Sequence, residues 1–220
     1  MGLFSFLKKS SDPYNDSGTS LIYNLLFCDD LELYKANHRQ PIAYPFDILF
    51  SETSSVADLQ RIIEDQNADA RVRILAYNKL LSRGHKLNRK ELLAVIVEVG
   101  LDDGLDTLAS FVDGTARYIN QTGKVLIWET TTDVQGNHLT NELFQKSKEI
   151  IKQIGPWDKP RRPRPKKGSV RITFLVSDGL YFGEGPMNAL FNDPIASPAL
   201  TAATELMRYL TNKSLTSTNG

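Results

Sequence analysis

Cationic side chains are concentrated in one proline-rich segment, and they are the first candidates for a binding surface in this chain of 220 residues. Residues 157–167 read WDKPRRPRPKK, with six cations and one acid. Prolines at every second or third position favour an extended polyproline II path that directs the cations outward. We call residues 159–167 the basic strip. The candidate binding residues of the segment are Trp157, Lys159, Arg161, Arg162, Arg164, Lys166 and Lys167.

Three roles are open for this segment. Its cations could follow a phosphate backbone, where each contact contributes by releasing counterions. They could equally dock on an acidic groove of a protein. The third role is a solvated, semi-rigid connection between a helix and a strand of one domain. Binding of single-stranded nucleic acid relies on interleaved aromatic rings, and Trp157 is the only one in the segment, which disfavours nucleic acid as the partner.

A second candidate contact is the glycine-rich stretch at residues 183–186, which we predict to be a tight loop that ends a short strand. Glycines let a backbone approach a phosphate, but a phosphate cradle also needs a following helix N-terminus and usually a lysine. No lysine follows here, and Pro186 lacks an amide donor. Gly183, Glu184 and Gly185 therefore join the basic strip as a candidate contact surface rather than a phosphate site.

Two carboxylates, Glu98 and Glu129, lie within or at the end of apolar strands. An inward-facing carboxylate has a raised pKa and can serve as an acid or base. Exposure on the outer face of the sheet is the expected position for both. The enzymatic alternative places Glu98, Glu129 or Glu184 in a pocket between sheet and helices, and it stays open.

Metal and thiol chemistry have little to build on in this sequence. Cys28 is the only cysteine, so no cysteine-based zinc cluster can form, and the three histidines lack HExxH spacing. The aspartates of residues 102–113 lack the spacing of an EF-hand. Cys28 precedes two aspartates, which disfavour a thiolate, so we predict an inert structural thiol. We expect neither a cofactor nor a metal.

Hydrophobic periodicity predicts an α+β fold around these candidates. Helical spacing of apolar residues at 56–63 and 69–81 predicts an αα-hairpin. From Leu92 onward the apolar residues recur at every second position, which indicates strands. The Asp113-Gly114 pair is a strong hairpin signal. The predicted strands cover residues 93–99, 106–112, 115–120, 124–130, 170–176 and 180–182, with helices after residue 137 and from Ser197. We therefore expect an N-terminal αα-hairpin followed by an antiparallel sheet of about five or six strands flanked by helices.

The first and fourth predicted strands are apolar on both faces, which is unusual for a sheet with one wet face. We expect the second face to be covered by further helices, by the amino-terminal segment or by a second copy of the chain. The expected domain covers residues 21–213, with a flexible segment at 1–20 and a disordered tail at 214–220.

Apolar residues near the amino terminus, followed by two lysines, allow weak contact with a membrane surface or a docking peptide. They are Leu3, Phe4, Phe6 and Leu7. No stretch approaches the ~20 apolar residues of a transmembrane helix, and no secretory signal precedes the domain. The sequence predicts a cytoplasmic protein.

Three stretches are distinctive: residues 109–120 (ASFVDGTARYIN), residues 155–163 (GPWDKPRRP), and SDG at 177–179 with FGEGP at 182–186. Together they resemble a family of uncharacterised bacterial proteins. The resemblance covers about residues 55–210. The family carries no established activity, so the resemblance implies a bacterial, cytoplasmic setting and no catalytic role.

The formal charge is zero, with 26 cations and 26 acids, but the charge is unevenly distributed. Six cations against one acid in residues 158–167 leave the rest of the chain with an excess of five negative charges. An acidic body with one basic strip favours binding to its own surface, to a second copy or to an acidic partner. We therefore expect a non-enzymatic protein-interaction module. The alternatives are a carboxylate-dependent enzyme or small-ligand-binding protein, and a polyanion or nucleic-acid binder.

Overall fold

The computed structural model describes residues 13–85 and 89–217. Leu3, Phe4, Phe6 and Leu7, the candidates for membrane-surface contact, lie outside these ranges. The helices are α1 (Ser17–Leu25), α2 (Leu31–Asn37), α3 (Phe46–Leu49), α4 (Val56–Glu64), α5 (Ala70–Ser82), α6 (Val134–Ile151), α7 (Met187–Asn192) and α8 (Ser197–Ser217). The strands are β1 (Leu92–Gly100), β2 (Leu105–Phe111), β3 (Ala116–Ile119), β4 (Val125–Trp128), β5 (Ser169–Val176) and β6 (Gly179–Pro186).

The six strands form one antiparallel sheet in the order β4-β3-β2-β1-β5-β6. The first four strands form a meander, and α6 carries the chain back so that β5 pairs with the other side of β1. The helical hairpin precedes the sheet as predicted, with a capping box between Ser55 and Asp58 at the start of α4. Asp69 caps α5 by accepting the N–H of Arg71. The predicted α+β fold class is confirmed.

Each face of the sheet packs against its own helical layer. On one face, Leu93 and Ile96 of β1 pack with residues of α1, α4 and α5, including Tyr23, Leu59 and Leu75. On the other face, Val95 and Val97 pack against Leu143 of α6 and Leu200 and Leu206 of α8. Of the three predicted covers for the second face, the helices of the chain itself are the ones observed.

The glycine-rich stretch at residues 183–186 is not the predicted loop. Gly183, Glu184 and Gly185 lie within β6 and pair with Ile172, Arg171 and Val170 of β5. Glycine is a weak strand former, but a long partner strand supplies a complete hydrogen-bond ladder and overrides that local preference. The prediction of a loop is thus wrong, and these residues form part of the sheet edge.

The carboxyl-terminal helix extends further than the sequence indicates. α8 continues to Ser217, into the segment predicted to be a disordered tail, and residues 218–220 lie outside the described ranges. α6 begins at Val134, ahead of the predicted start, because Asp133 caps it by accepting the N–H of Gly136. None of the helices in the described ranges is long and apolar enough to cross a bilayer.

Candidate functional site

The basic strip is fastened to the sheet by one buried side chain, Arg171 of β5. The Arg171 side chain is 3% exposed. Its Nη1 donates to the backbone carbonyl of Arg162 at 3.2 Å, and its Nη2 donates to that of Pro163. A guanidinium has its donors in a rigid fork, so one arginine can hold two successive carbonyls. The backbone of the strip is therefore held against the sheet.

The same guanidinium lies in a row of charges across three strands. The strand register places Glu98 of β1 and Glu184 of β6 on either side of Arg171. Arg171 Nη1 lies 3.4 Å from Glu98 Oε2, and Arg171 Nε donates to Glu184 Oε2 at 2.9 Å. Tyr23 of α1 donates its hydroxyl to Glu98 Oε1 at 2.6 Å. The row joins β1, β5 and β6 to α1 beneath the strip.

Glu98 is fully buried, so its predicted exposure on the outer face of the sheet is wrong. The physical reason is the cation on the neighbouring strand, because a carboxylate is tolerated inside when it is paired and hydrogen-bonded. Burial raises the pKa of Glu98, although Arg171 and the Tyr23 hydroxyl act in the opposite direction. Burial, with the charge of Glu98, also raises the pKa of Tyr23 well above its usual value. Both oxygens of Glu98 contact protein groups, and the side chain has no exposed surface.

Glu129, the second candidate carboxylate, lies far along the sheet, just after β4. It pairs with Arg117 of β3, and its side chain is 54% exposed, in line with the predicted exposure. Glu98, Glu129 and Glu184 therefore do not line one common pocket. Glu98 and Glu184 share Arg171, whereas Glu129 belongs to the opposite edge of the sheet.

Arg161 is the second anchor of the strip. Its Nε donates to Asp29 Oδ2 at 2.9 Å, and its Nη2 donates to Asn24 Oδ1 at 3.0 Å. The guanidinium also lies over the ring of Phe27, 3.9 Å from the ring centroid. Such a cation–π contact adds to the hydrogen bonds. The strip is thus tied to the end of α1 and the connection that follows it.

Backbone contacts fix both ends of the segment. At its start, the Trp157 N–H donates to the carbonyl of Leu180 at 2.7 Å, and the Trp157 ring packs edge-on against Phe182. At its end, the Gly168 N–H donates to the carbonyl of Gly100 at 2.8 Å. A Cβ on Gly100 would lie 2.2 Å from the carbonyl oxygen of Lys166, which no real structure accommodates without movement. Gly100 therefore permits the close approach of the strip to β1.

Although the backbone is anchored, most cations of the strip face solvent. Lys159, Arg162, Arg164, Lys166 and Lys167 are all exposed. The Arg162 side chain is 51% exposed with Glu184 at 3.5 Å, and Lys167 makes an exposed ion pair with Asp102 at 2.5 Å. Exposed ion pairs of this kind contribute about 0–1 kcal/mol and exchange readily for other partners.

Two open grooves flank the strip. One has a volume of about 950 Å³ and runs between residues 159–164 and residues 29–33, where Asp29, Asp30 and Glu32 form an acidic rim. The other has a volume of about 490 Å³ and lies between residues 164–167 and the turn at residues 100–104. The strip is therefore a raised, cationic ridge bordered by carboxylates.

The structure brings most of the predicted site residues together and adds three that sequence reasoning missed. Trp157 and Arg162 contact the ring of Phe182, Lys159 lies over the ring of Trp157, and Arg162 lies near Glu184. Arg161 is anchored to Asp29 instead, and Arg164, Lys166 and Lys167 lie further along the ridge. The missed residues are Arg171, Tyr23 and Gly100. Arg171 did carry a signal, because it is a single charge inside a β-branched strand. Tyr23 and Gly100 carried none, since their roles depend on contacts distant in sequence.

Cys28 and the acidic residues were the candidates for thiol and metal chemistry. Cys28 is buried, as an inert thiol should be, and burial raises its pKa to about 12. Within residues 13–85 and 89–217, no three His, Cys, Asp or Glu side chains come together as a metal-binding cluster.

No protein-family model and no curated protein matches this chain. Function is therefore inferred from the geometry of the ridge and its anchors.

Proposed function

We propose that the protein is a non-enzymatic, cytoplasmic protein-interaction module whose basic strip binds an acidic, extended segment of a partner protein. One observation carries the proposal: the strip is anchored through its backbone, while the side chains of Lys159, Arg162, Lys166 and Lys167 stay exposed. A rigid display of charge reduces the ordering entropy that binding would otherwise cost. A mere connector between α6 and β5 does not require this array of anchors.

The contacts of the individual cations show which of them hold the strip in place and which can bind a partner. The guanidinium of Arg161 donates to Asp29 and Asn24, so it holds the strip in place and is not available to a partner. Lys167 makes an exposed ion pair with Asp102, and the half-exposed Arg162 lies 3.5 Å from Glu184 and over the ring of Phe182. Carboxylates of a partner can replace these pairs at little cost, because each is weak in water. The site therefore has cations available for exchange.

An acidic peptide fits this surface better than a nucleic acid does. The carboxylates of Asp29, Asp30, Glu32 and Asp102 border the ridge, so they favour a ligand whose negative charges alternate with neutral groups over a continuous phosphate backbone. Trp157 packs against Phe182 and is only partly accessible, so the segment offers no open stacking platform. A peptide can place its carboxylates on the ridge and its neutral residues along the grooves.

The setting of the interaction is part of the same proposal. The resemblance to uncharacterised bacterial proteins supports a bacterial origin and a cytoplasmic location. The reducing cytoplasm also suits a chain whose one cysteine is a buried free thiol.

Three labelled probes of equal length test the proposal: a peptide alternating glutamate with serine, a peptide alternating glutamine with serine, and a single-stranded oligonucleotide. Binding is measured by fluorescence anisotropy at low and at physiological salt. We expect saturable binding of the glutamate peptide, no binding of the glutamine peptide, and weaker binding of the oligonucleotide at physiological salt. Equal binding of both peptides, or no binding of the glutamate peptide, would contradict the proposal. Tighter binding of the oligonucleotide would replace it with the polyanion alternative.

A further inference from the structure

The two edges of the sheet differ in what covers them. At the β6 edge, the Trp157 N–H donates to the carbonyl of Leu180, so an outward peptide group of β6 already has a partner within the chain. At the other edge, β4 pairs with β3, and no strand of the described residues pairs with its outer side. An unpaired strand edge is a template for a further strand, and natural proteins usually protect it.

The hydrogen-bond pattern shows which groups of β4 face outward. The Asn120 N–H donates to the carbonyl of Lys124, so Lys124 directs its peptide groups toward β3. Peptide groups in an antiparallel strand alternate in direction, so those of Val125 and Ile127 point away from β3. These groups are the ones that an added strand would bind.

The side chains of β4 are also unusual for a bare edge. The strand reads Val-Leu-Ile-Trp, with no charge among its four residues. Leu126 and Trp128 pack toward α6 and α8, and Val125 packs toward the other helical layer. Ile127 shares the side of Val125 but is 60% exposed, beyond the reach of the helices. An apolar, uncharged edge favours pairing with another apolar strand.

We propose that β4 pairs antiparallel with β4 of a second copy of this chain, about a two-fold axis at Leu126. A two-fold axis perpendicular to the sheet keeps each face on its own side, so Val125 lies opposite Ile127 of the partner subunit. Both of these residues direct their peptide groups outward, and the two pairs exchange backbone hydrogen bonds. The exposed Ile127 is then covered by the partner's Val125. The two six-stranded sheets become one continuous sheet.

The side chains of β4 are complementary to those of a second β4 in antiparallel pairing, which favours a second copy of the chain as the source of the added strand. In this register Leu126 faces the partner's Leu126, and Lys124 lies opposite the aromatic ring of the partner's Trp128, an arrangement that allows a cation–π contact. No like charges are opposed. A register shifted to an axis at Ile127 would instead set Val125 against the partner's Glu129, whose carboxylate is held by Arg117. The Leu126 register is therefore the one that matches apolar with apolar residues.

The oligomeric state of the full chain tests this proposal by sedimentation velocity over a range of concentrations. We expect a concentration-dependent dimer for the unmodified chain and a monomer for Ile127→Lys, because the charge would lie against the partner's Val125. Val134→Lys is the matched control, since Val134 is 85% exposed but lies on α6. It should dimerise like the unmodified chain. A monomer for the unmodified chain at every concentration, or a dimer that Ile127→Lys leaves intact, would overturn the proposal.

Disulfide crosslinking tests the register separately, in a Cys28→Ser background. Leu126→Cys should crosslink two copies under mild oxidation, because the axis sets this residue against itself at the spacing of a non-hydrogen-bonded pair. Ile127→Cys should crosslink poorly. The reverse preference, or no crosslinking at either position, would overturn the Leu126 register.

Discussion

Arginine–glutamate pairs of the same type lie in opposite surroundings toward the two ends of the sheet. Next to the β6 edge, Arg171 of β5 and Glu98 of β1 are both withdrawn from water and lie beneath the basic strip. At the β4 edge, Arg117 is buried but Glu129 remains largely in water, and no strand of the described residues covers it. The region next to the β6 edge is therefore held together by buried charged side chains, and it carries the proposed peptide-binding surface. The other edge is apolar and has no partner strand on its outer side among the described residues, and it carries the proposed contact between two copies.

The difference shows how burial determines the free-energy cost of removing one partner of an ion pair. A buried pair is weak evidence for net stability, but removal of one partner leaves an uncompensated charge in a medium of low polarity. A half-exposed pair loses little, because water takes over the free charge. The β6 edge should therefore be intolerant of single substitutions, and the β4 edge tolerant.

The largest expected effect is that of Arg171→Met. This substitution leaves Glu98 buried with only Tyr23 as a donor, and it frees the carbonyls of Arg162 and Pro163. We expect the free energy of unfolding in urea to fall by about 3–5 kcal/mol. The matched variant Arg117→Met should lower it by about 1 kcal/mol. Equal losses would remove the distinction between the two edges.

A smaller effect is expected for Gly100→Ala, which tests the contact between the strip and β1. The added methyl group would meet the carbonyl oxygen of Lys166, so strip and strand must separate. Overpacking of this kind costs about 1–3 kcal/mol in the free energy of unfolding. Gly155→Ala is the control, since a methyl group added there would meet nothing within 4 Å. If both variants unfold like the unmodified chain, the strip is not held at Gly100.

The pH dependence of stability should distinguish Glu98 from an ordinary ion-paired carboxylate. Its pKa is raised by burial, so the folded chain binds this proton more tightly than the unfolded chain does. The contribution of Glu98 to the free energy of unfolding is therefore largest below the usual glutamate pKa of 4.5. It is lost as pH rises through the raised pKa. The slope is at most about 1.4 kcal/mol per pH unit.

Glu98→Gln removes this titration and provides the comparison. The free energy of unfolding of the unmodified chain, minus that of Glu98→Gln, should decline as pH rises above 4.5. A difference that grows with pH would contradict the account, because it would mean that Arg171 outweighs burial and lowers the pKa of Glu98.

Much of the fold was predictable from sequence because its signals are local. The αα-hairpin and the meander of β1–β4 follow from hydrophobic period and from the turn at Asp113 and Gly114. The strand at Gly183–Gly185 was missed because pairing with β5, not local preference, decides its conformation. Partner strands distant in sequence override such preferences.

The residues of the candidate site could be predicted from the sequence, but the contacts that anchor the strip could not. The basic strip is evident from its prolines and cations, whereas its anchors depend on the register of β1 against β5. That register sets Glu98 opposite Arg171, and strands so far apart in the chain give no sequence signal of their pairing. The burial of Glu98 and the fastening of the strip therefore required the structure.

The most direct test of the central claim compares two triple variants for binding of the labelled glutamate–serine peptide. One carries Lys159→Gln, Lys166→Gln and Lys167→Gln on the strip, and the other carries Lys146→Gln, Lys148→Gln and Lys152→Gln on α6 and its C-cap. All six lysines are exposed, and each set includes one lysine in an exposed ion pair, Lys167 or Lys152. The two variants therefore have the same net charge.

We predict that the strip variant binds the peptide about tenfold more weakly, as expected for the loss of three exposed charge contacts of about 0.5 kcal/mol each. The α6 variant should bind like the unmodified chain. Equal weakening in both variants would mean that overall charge, and not the anchored strip, attracts the peptide. Unchanged binding in the strip variant would contradict the central claim outright.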